Sequence, residues 1–222
     1  GLDNARASVA KSLGSGEQYD DMVTQVYQDT LEVGVSSGEA AQALVGLSQN
    51  MAGFGMMTKT AQKDLVGFAA TMQEIGVDAG TTGQLLTNTT KVMGMSAAES
   101  KAFGAELGGL ANTLGVSIGQ ITGDFNSVMG DLAVYGKEAP QVFKKLAGAS
   151  AALGISIDGL VGSMKELDTI SGAAKRAGQL NAVLEGQFLD AHELSNASYE
   201  ERIILTKKAL YASGKDFESM SR

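Results

Sequence analysis

The chain has 222 residues, with 17 Lys and Arg against 25 Asp and Glu, so its net charge is −8, and it contains no Cys. An acidic chain is poorly suited to binding a phosphate backbone, and a chain without Cys has neither disulfides nor thiol chemistry. No strand-like alternation persists along the sequence, which predicts an all-α fold.

Eight helices are predicted in chain order, and one or two shorter ones are expected between residues 189 and 219. The breaks between them are marked by Gly and by residues that cap helices. The eight predicted ranges are 19–32, 38–52, 59–75, 81–92, 97–114, 118–134, 140–153 and 158–185.

A triplet of Gly, an aliphatic residue and Ser or Asp recurs between these helices, starting at positions 34, 76, 115 and 154, and a looser break of the same kind starts at position 94. Gly supplies the left-handed residue that ends one helix, and Ser or Asp caps the next. The triplets are spaced by 42, 39 and 39 residues, and a period of this size favours repeated helix hairpins in a solenoid or bundle. The predicted hinge residues are Gly34, Ser36, Gly76, Asp78, Gly94, Ser96, Gly115, Ser117, Gly154 and Ser156.

Glycine is frequent, with 29 residues, and many of them fall inside predicted helices. Each costs about 0.5–1 kcal/mol relative to Ala in a helix interior. A chain that tolerates this cost is expected to need close helix–helix approach or helices of limited stiffness. The pair Gly104 and Gly108 is predicted to mark close packing.

Charge density rises near Lys165, which predicts two parts: a hairpin repeat region over 1–164 and a more charged helical segment over 165–222. Within the second part, Ser198 and Glu201 are spaced as a capping box that opens an amphipathic helix. Ile203 and Ile204 are predicted to lie on its buried side and Arg202 on its outward side.

Three patterns suggest chemistry, and each has a plainer structural explanation. Residues 111–121 have the spacing of a DNA-binding helix-turn-helix, but the second helix would begin without a cation. His192 is the only His, and adjacent carboxylates do not bring three ligands to one point. Glu99-Ser100 matches a catalytic pair of cell-wall hydrolases, although Glu99 also completes a capping box with Ser96. The sequence therefore predicts no catalytic residues, no cofactor and no metal.

Three stretches of the sequence are similar to those of one known family. The first is the run of Gly-, Ala-, Ser- and Thr-rich helices with Gly-Val-Ser or Gly-Ile-Ser turns over residues 34–164. The second is Leu114-Gly115-Val116-Ser117 followed by Ile121, Asp124 and Phe125. The third includes Asp168-Thr169-Ile170-Ser171, Gly178-Gln179-Leu180-Asn181 and Asn196-Ala197-Ser198-Tyr199. Together they resemble a segment of a tail tape measure protein of a tailed bacteriophage.

The resemblance implies a structural virion protein that is held inside the tail tube, sets its length during assembly and leaves ahead of the DNA. It implies that the chain is assembled in the host cytoplasm and that its partners are other tail proteins and copies of itself. Transient contact with a membrane during ejection is also compatible with this role. Family members are typically far longer than 222 residues. A soluble α-solenoid that binds a partner protein, without enzymatic activity, is the alternative.

Overall fold

The computed structural model describes residues 1–14 and 17–214. These residues form α-helices joined by short turns, without a β-strand among them, which confirms the predicted all-α class. The helices are α1 (Leu2–Leu13), α2 (Glu17–Asp29), α3 (Ser37–Asn50), α4 (Lys59–Glu74), α5 (Ala79–Thr87), α6 (Ala97–Leu114), α7 (Ile118–Leu132), α8 (Ala139–Leu153), α9 (Ile157–Lys165), α10 (Ile170–Leu184), α11 (Ala191–Asn196) and α12 (Tyr199–Ala212).

The observed helices differ from the predicted ones at several ends. Helix α1 was not predicted, and the helix predicted over 19–32 is α2 followed by a 3₁₀ turn, Leu31–Val33. The helix predicted over 81–92 is α5 followed by a π-helical turn, Asn88–Val92. Helices α11 and α12 occupy the region where one or two short helices were expected.

The prediction of one helix over residues 158–185 is wrong, because α9 and α10 are separated by a 3₁₀ turn, Glu166–Asp168. Thr169 is extended, with φ −113° and ψ 145°, and its hydroxyl accepts a hydrogen bond from the Gly172 amide at 3.0 Å. A Cβ on Gly172 would overlap the carbonyl oxygen of Glu166. Gly at this position lets the chain fold back tightly enough to start a new helix.

The chain divides into two compact units, Gly1–Ala139 and Pro140–Arg222. The sequence-based boundary at Lys165 differs from this division and lies at the end of α9, inside the second unit. Charge density reports how a segment is solvated, whereas the division into units follows the packing contacts within each unit.

In the first unit, α3 and α5 are the helices around which the others pack. Helix α3 contacts α1, α2, α4 and α5, and α5 also contacts α4, α6 and α7. Fully buried side chains at these contacts include Leu44 and Leu47 of α3, Leu65 of α4 and Phe125 of α7. The core is therefore built between helices that are close in chain order.

The helix-interior glycines fall into two groups. A Cβ on Gly104 would lie 2.7 Å from the Phe68 ring and one on Gly108 3.2 Å from Ile118 Cδ1, so the predicted pair lies at close helix contacts. Gly46 was not singled out, but a Cβ there would overlap the Ala79 Cβ. A Cβ on Gly109, Gly123 or Gly130 would meet no atom within 4 Å. Close packing therefore explains only some of the interior glycines.

Candidate functional site

The five predicted hinges combine a left-handed glycine with a cap for the following helix. Gly φ angles lie between 66° and 95° at positions 34, 76, 94, 115 and 154. Two residues later, a side-chain oxygen accepts from a backbone amide. The pairs are Ser36 and Glu39 (3.2 Å), Asp78 and Thr81 (2.9 Å), Ser96 and Glu99 (3.2 Å), Ser117 and Gln120 (3.1 Å), and Ser156 and Gly159 (3.1 Å). Helices therefore restart where the sequence predicts.

A further turn follows α10 at Glu185, where the helix predicted over 158–185 ends, but it was not predicted as a hinge because its left-handed residue is Glu rather than Gly. Glu185 has φ 59°, and the Gly186 amide donates to the Asn181 carbonyl at 3.0 Å. The buried Asn181 side chain holds the next residues, because its Oδ1 accepts from the Phe188 and Leu189 amides, each at 2.9 Å. As in the other turns, a left-handed residue ends the helix, but here Gly follows that residue instead of occupying its position.

Replacing Glu185 with Gly is expected to raise the free energy of unfolding by about 1 kcal/mol, because a left-handed backbone is strained for any residue with a Cβ. Urea denaturation monitored by circular dichroism measures the change. Gln187→Gly is the control and is expected to give no gain, since Gln187 does not have a positive φ. Equal effects of the two substitutions would contradict the strain at Glu185.

Several polar contacts between helices in the first unit join residues about one hinge period apart. They include two ion pairs and three hydrogen bonds, with sequence separations of 34–38 residues. The ion pairs are Lys63 with Asp29 (3.1 Å) and Lys101 with Asp64 (2.7 Å). The hydrogen bonds run from the Gln73 side-chain amide to the Glu39 carbonyl (2.9 Å), from the Thr87 hydroxyl to the Asn50 carbonyl (3.2 Å), and from the Asn88 side-chain nitrogen to Asn126 Oδ1 (3.0 Å). These contacts join helices of the first unit that are close in chain order.

A groove of about 950 Å³ runs across α4 between α2 and α6. The two ion pairs, Lys63–Asp29 and Lys101–Asp64, line it, and Gly67, Phe68 and Ala105 contribute small and apolar surface. Because its charged side chains already form ion pairs with each other, the groove presents a mixed surface without a net charge preference.

Two carboxyl groups meet at the first hinge. The Ser36 hydroxyl and backbone amide donate to Glu39 at 2.6 and 2.7 Å, and these hydrogen bonds lower the pKa of Glu39. The hydrogen bond from Glu74 to Glu39, and the negative charge of Glu39, raise the pKa of Glu74. The hinge therefore lowers the pKa of one carboxyl group and raises the pKa of the other.

Glu74→Gln is expected to increase the melting temperature at neutral pH, because Gln removes the negative charge of the ionised Glu74 and provides an N–H donor towards Glu39. The raised pKa means that the protonated Glu74 stabilises the fold at low pH and that this contribution is lost as the pH rises through the folded-state pKa. The advantage of the variant should therefore vanish as the pH falls below that value. Melting curves recorded between neutral and acidic pH measure it, and an advantage independent of pH would contradict the carboxyl pair.

A buried arginine organises the second unit. Arg202 is 3% exposed, so its predicted outward position is wrong, and Ile204, predicted to be buried, is 43% exposed. The guanidinium donates to the carbonyls of Met164 (2.6 Å), Leu194 (2.9 Å) and Ser195 (3.2 Å) and to Asp168 Oδ1 (2.6 Å). One side chain thus satisfies carbonyls at the C-terminal ends of α9 and α11, which helices leave unpaired.

The residues that suggested chemistry take part in helix capping. The Glu99 carboxylate accepts a hydrogen bond from the Ser96 backbone amide at 2.6 Å, and the Ser100 hydroxyl donates to the Ser96 carbonyl at 2.9 Å. The His192 amide donates to Asp190 at 2.9 Å, and its ring Nδ1 lies 3.1 Å from the Asn196 side-chain nitrogen. Among the residues that the structure describes, no three His, Asp or Glu side chains are placed to hold a metal ion. Over the same residues, no helix has the length and apolar character required to cross a membrane.

Comparisons of the chain with protein-family models, with curated proteins and with solved structures find no match.

Proposed function

We propose that the chain is a structural protein of a phage tail, similar to a segment of a tape measure protein, and that it has no catalytic role. Its partners in this proposal are other tail proteins and copies of itself, and it is assembled into the virion in the host cytoplasm. Transient contact with a membrane on ejection belongs to the same proposal.

The observation that carries the proposal is the one-period separation of the polar contacts between hairpins. Contacts of this kind, such as Lys101–Asp64 across 37 residues, join helices that are close in chain order. A structure in which each group of helices contacts only its neighbours in the chain can be lengthened by adding further groups, as in solenoid proteins. Such extension suits a protein whose length is part of its role, and it agrees with the resemblance in the turns and C-terminal stretches.

Mass spectrometry of purified particles from the native source tests the proposal. Peptides of this chain should be recovered from intact virions, together with known tail components. Their absence from particles, when the chain is present in the infected-cell lysate, would reject a virion role.

A soluble α-solenoid that binds a partner protein is the second candidate, and the groove between α2 and α6 favours it. Ligand and peptide sites are concave and combine apolar surface with a few polar groups, as this groove does. This candidate predicts a monodisperse monomer with one cooperative thermal transition and no virion association. Recovery of the chain from purified particles would reject it.

A further inference from the structure

One edge of the first unit exposes aliphatic side chains where successive hinges meet. Leu31, Val33 and Ile75 are 50%, 55% and 53% exposed. A Cβ on Gly34 would lie 3.6 Å from Glu74 Oε2, and the Gln73 amide bonds the Glu39 carbonyl, so the two hinges are adjacent. We call Leu31, Glu32, Val33, Glu39, Glu74 and Ile75 the hinge edge.

The hinge edge is acidic as well as apolar. Its three charged residues are Glu32, Glu39 and Glu74, and two of these carboxyl groups hydrogen bond to each other rather than to a cation. A cation placed against the pair would offset their negative charge. The surface therefore suits a partner with aliphatic or aromatic side chains flanked by Lys or Arg.

Helix α12 presents a surface of that chemistry in the second unit. Ile204 is 43% exposed and Tyr211 is 69% exposed, and Lys207 and Lys208 are exposed between them. Spacings of three and four residues place these side chains on one side of the helix. Lys207 lies over the Tyr211 ring at 5.8 Å. Glu201, which accepts from the Ser198 amide at 2.7 Å, and Glu193 of α11 lie beside Ile204 and Lys208, so Lys207 and Tyr211 are the part of the face farther from these carboxylates along the helix. We call Ile204, Lys207, Lys208 and Tyr211 the α12 face.

We propose that the α12 face of one copy of the chain docks on the hinge edge of a second copy. Lys207 and Lys208 then pair with the hinge-edge carboxylates, and Ile204 and Tyr211 cover Val33 and Ile75. Because the two surfaces differ, the contact is heterologous and leaves one free surface of each kind on every pair. The contact therefore propagates head to tail. The biological meaning of this contact rests on the structural role proposed above, which it makes more specific.

Sedimentation of the full chain over a range of protein concentrations tests the contact. The average mass should rise with concentration and fall as salt is added, because exposed charge pairs are screened. Lys207→Glu with Lys208→Glu should weaken association at least tenfold, as should Val33→Asp with Ile75→Asp. Lys11→Glu with Val134→Asp is the matched control, since both residues are exposed elsewhere, and it should associate as the wild type does.

A mixture of the two variants gives the sharpest test of the head-to-tail arrangement. The lysine variant keeps its hinge edge, and the aspartate variant keeps its α12 face, so together they should form a 1:1 pair that does not grow. A monomer at every concentration would overturn the proposal, and so would association that neither variant weakens. Circular dichroism of each variant separates loss of contact from loss of fold, and the virion assignment is tested independently by particle mass spectrometry.

Discussion

Replacing Arg202 with Ala is expected to lower the free energy of unfolding of the second unit by about 3–5 kcal/mol. The substitution removes the donors that satisfy the Leu194 and Ser195 carbonyls at the end of α11, and the Met164 carbonyl keeps only the backbone amide of Glu166. Domains are stable by only about 5–15 kcal/mol, so the loss is a large fraction of the total. Chemical denaturation or hydrogen exchange of α9 and α12 measures it.

Arg202→Lys should recover little of this stability, because an ammonium group lacks the planar fork that reaches several carbonyls at once. Lys207→Ala is the control on the same helix and should change stability by less than about 0.5 kcal/mol. A tolerated Arg202→Ala would mean that α12 is held by its apolar contacts, Ala209 and Leu210, rather than by the guanidinium.

Gly46→Ala is expected to destabilise the first unit by about 1–3 kcal/mol, although Ala is the better helix former. The new Cβ would overlap the Ala79 side chain and force α3 and α5 apart. Gly123→Ala is the matched control on α7, where the added Cβ meets no atom within 4 Å, and it should stabilise by about 0.5–1 kcal/mol. Thermal and urea denaturation of the two variants give the comparison.

Opposite signs for the two substitutions would show that helix approach, not glycine content, determines the packing of α3 against α5. A gain from both would contradict the close contact between Gly46 and Ala79. A loss from both would indicate that Gly123 faces a contact in solution.

The hinges could be predicted from sequence because their chemistry is local. Gly at the helix end and Ser or Asp two residues later act within one turn, as Gly115 and Ser117 do. The helix end at Glu185 was predicted, but its hinge geometry was not, because a non-glycine residue occupies the left-handed position. The break at Thr169 depends on Gly172, whose packing against the backbone of Glu166 cannot be seen in a helical pattern.

The contacts between helices were beyond the sequence argument because they depend on spatial neighbours. Arg202 has the helical position of an outward residue, yet it is buried because two helix ends offer it unpaired carbonyls. The groove across α4 and the carboxyl pair of Glu39 and Glu74 arise in the same way, from side chains about 35 residues apart. Periodicity predicts the helices but does not predict which polar groups meet.

An NMR contact map of residues 1–139 from nuclear Overhauser effects tests the hairpin architecture most directly. Contacts between helices should concentrate near separations of one hinge period, with Lys101 beside Asp64 and Asn126 beside Asn88. Contacts concentrated at two or more periods, or helical continuity through Gly76 and Gly115, would contradict it.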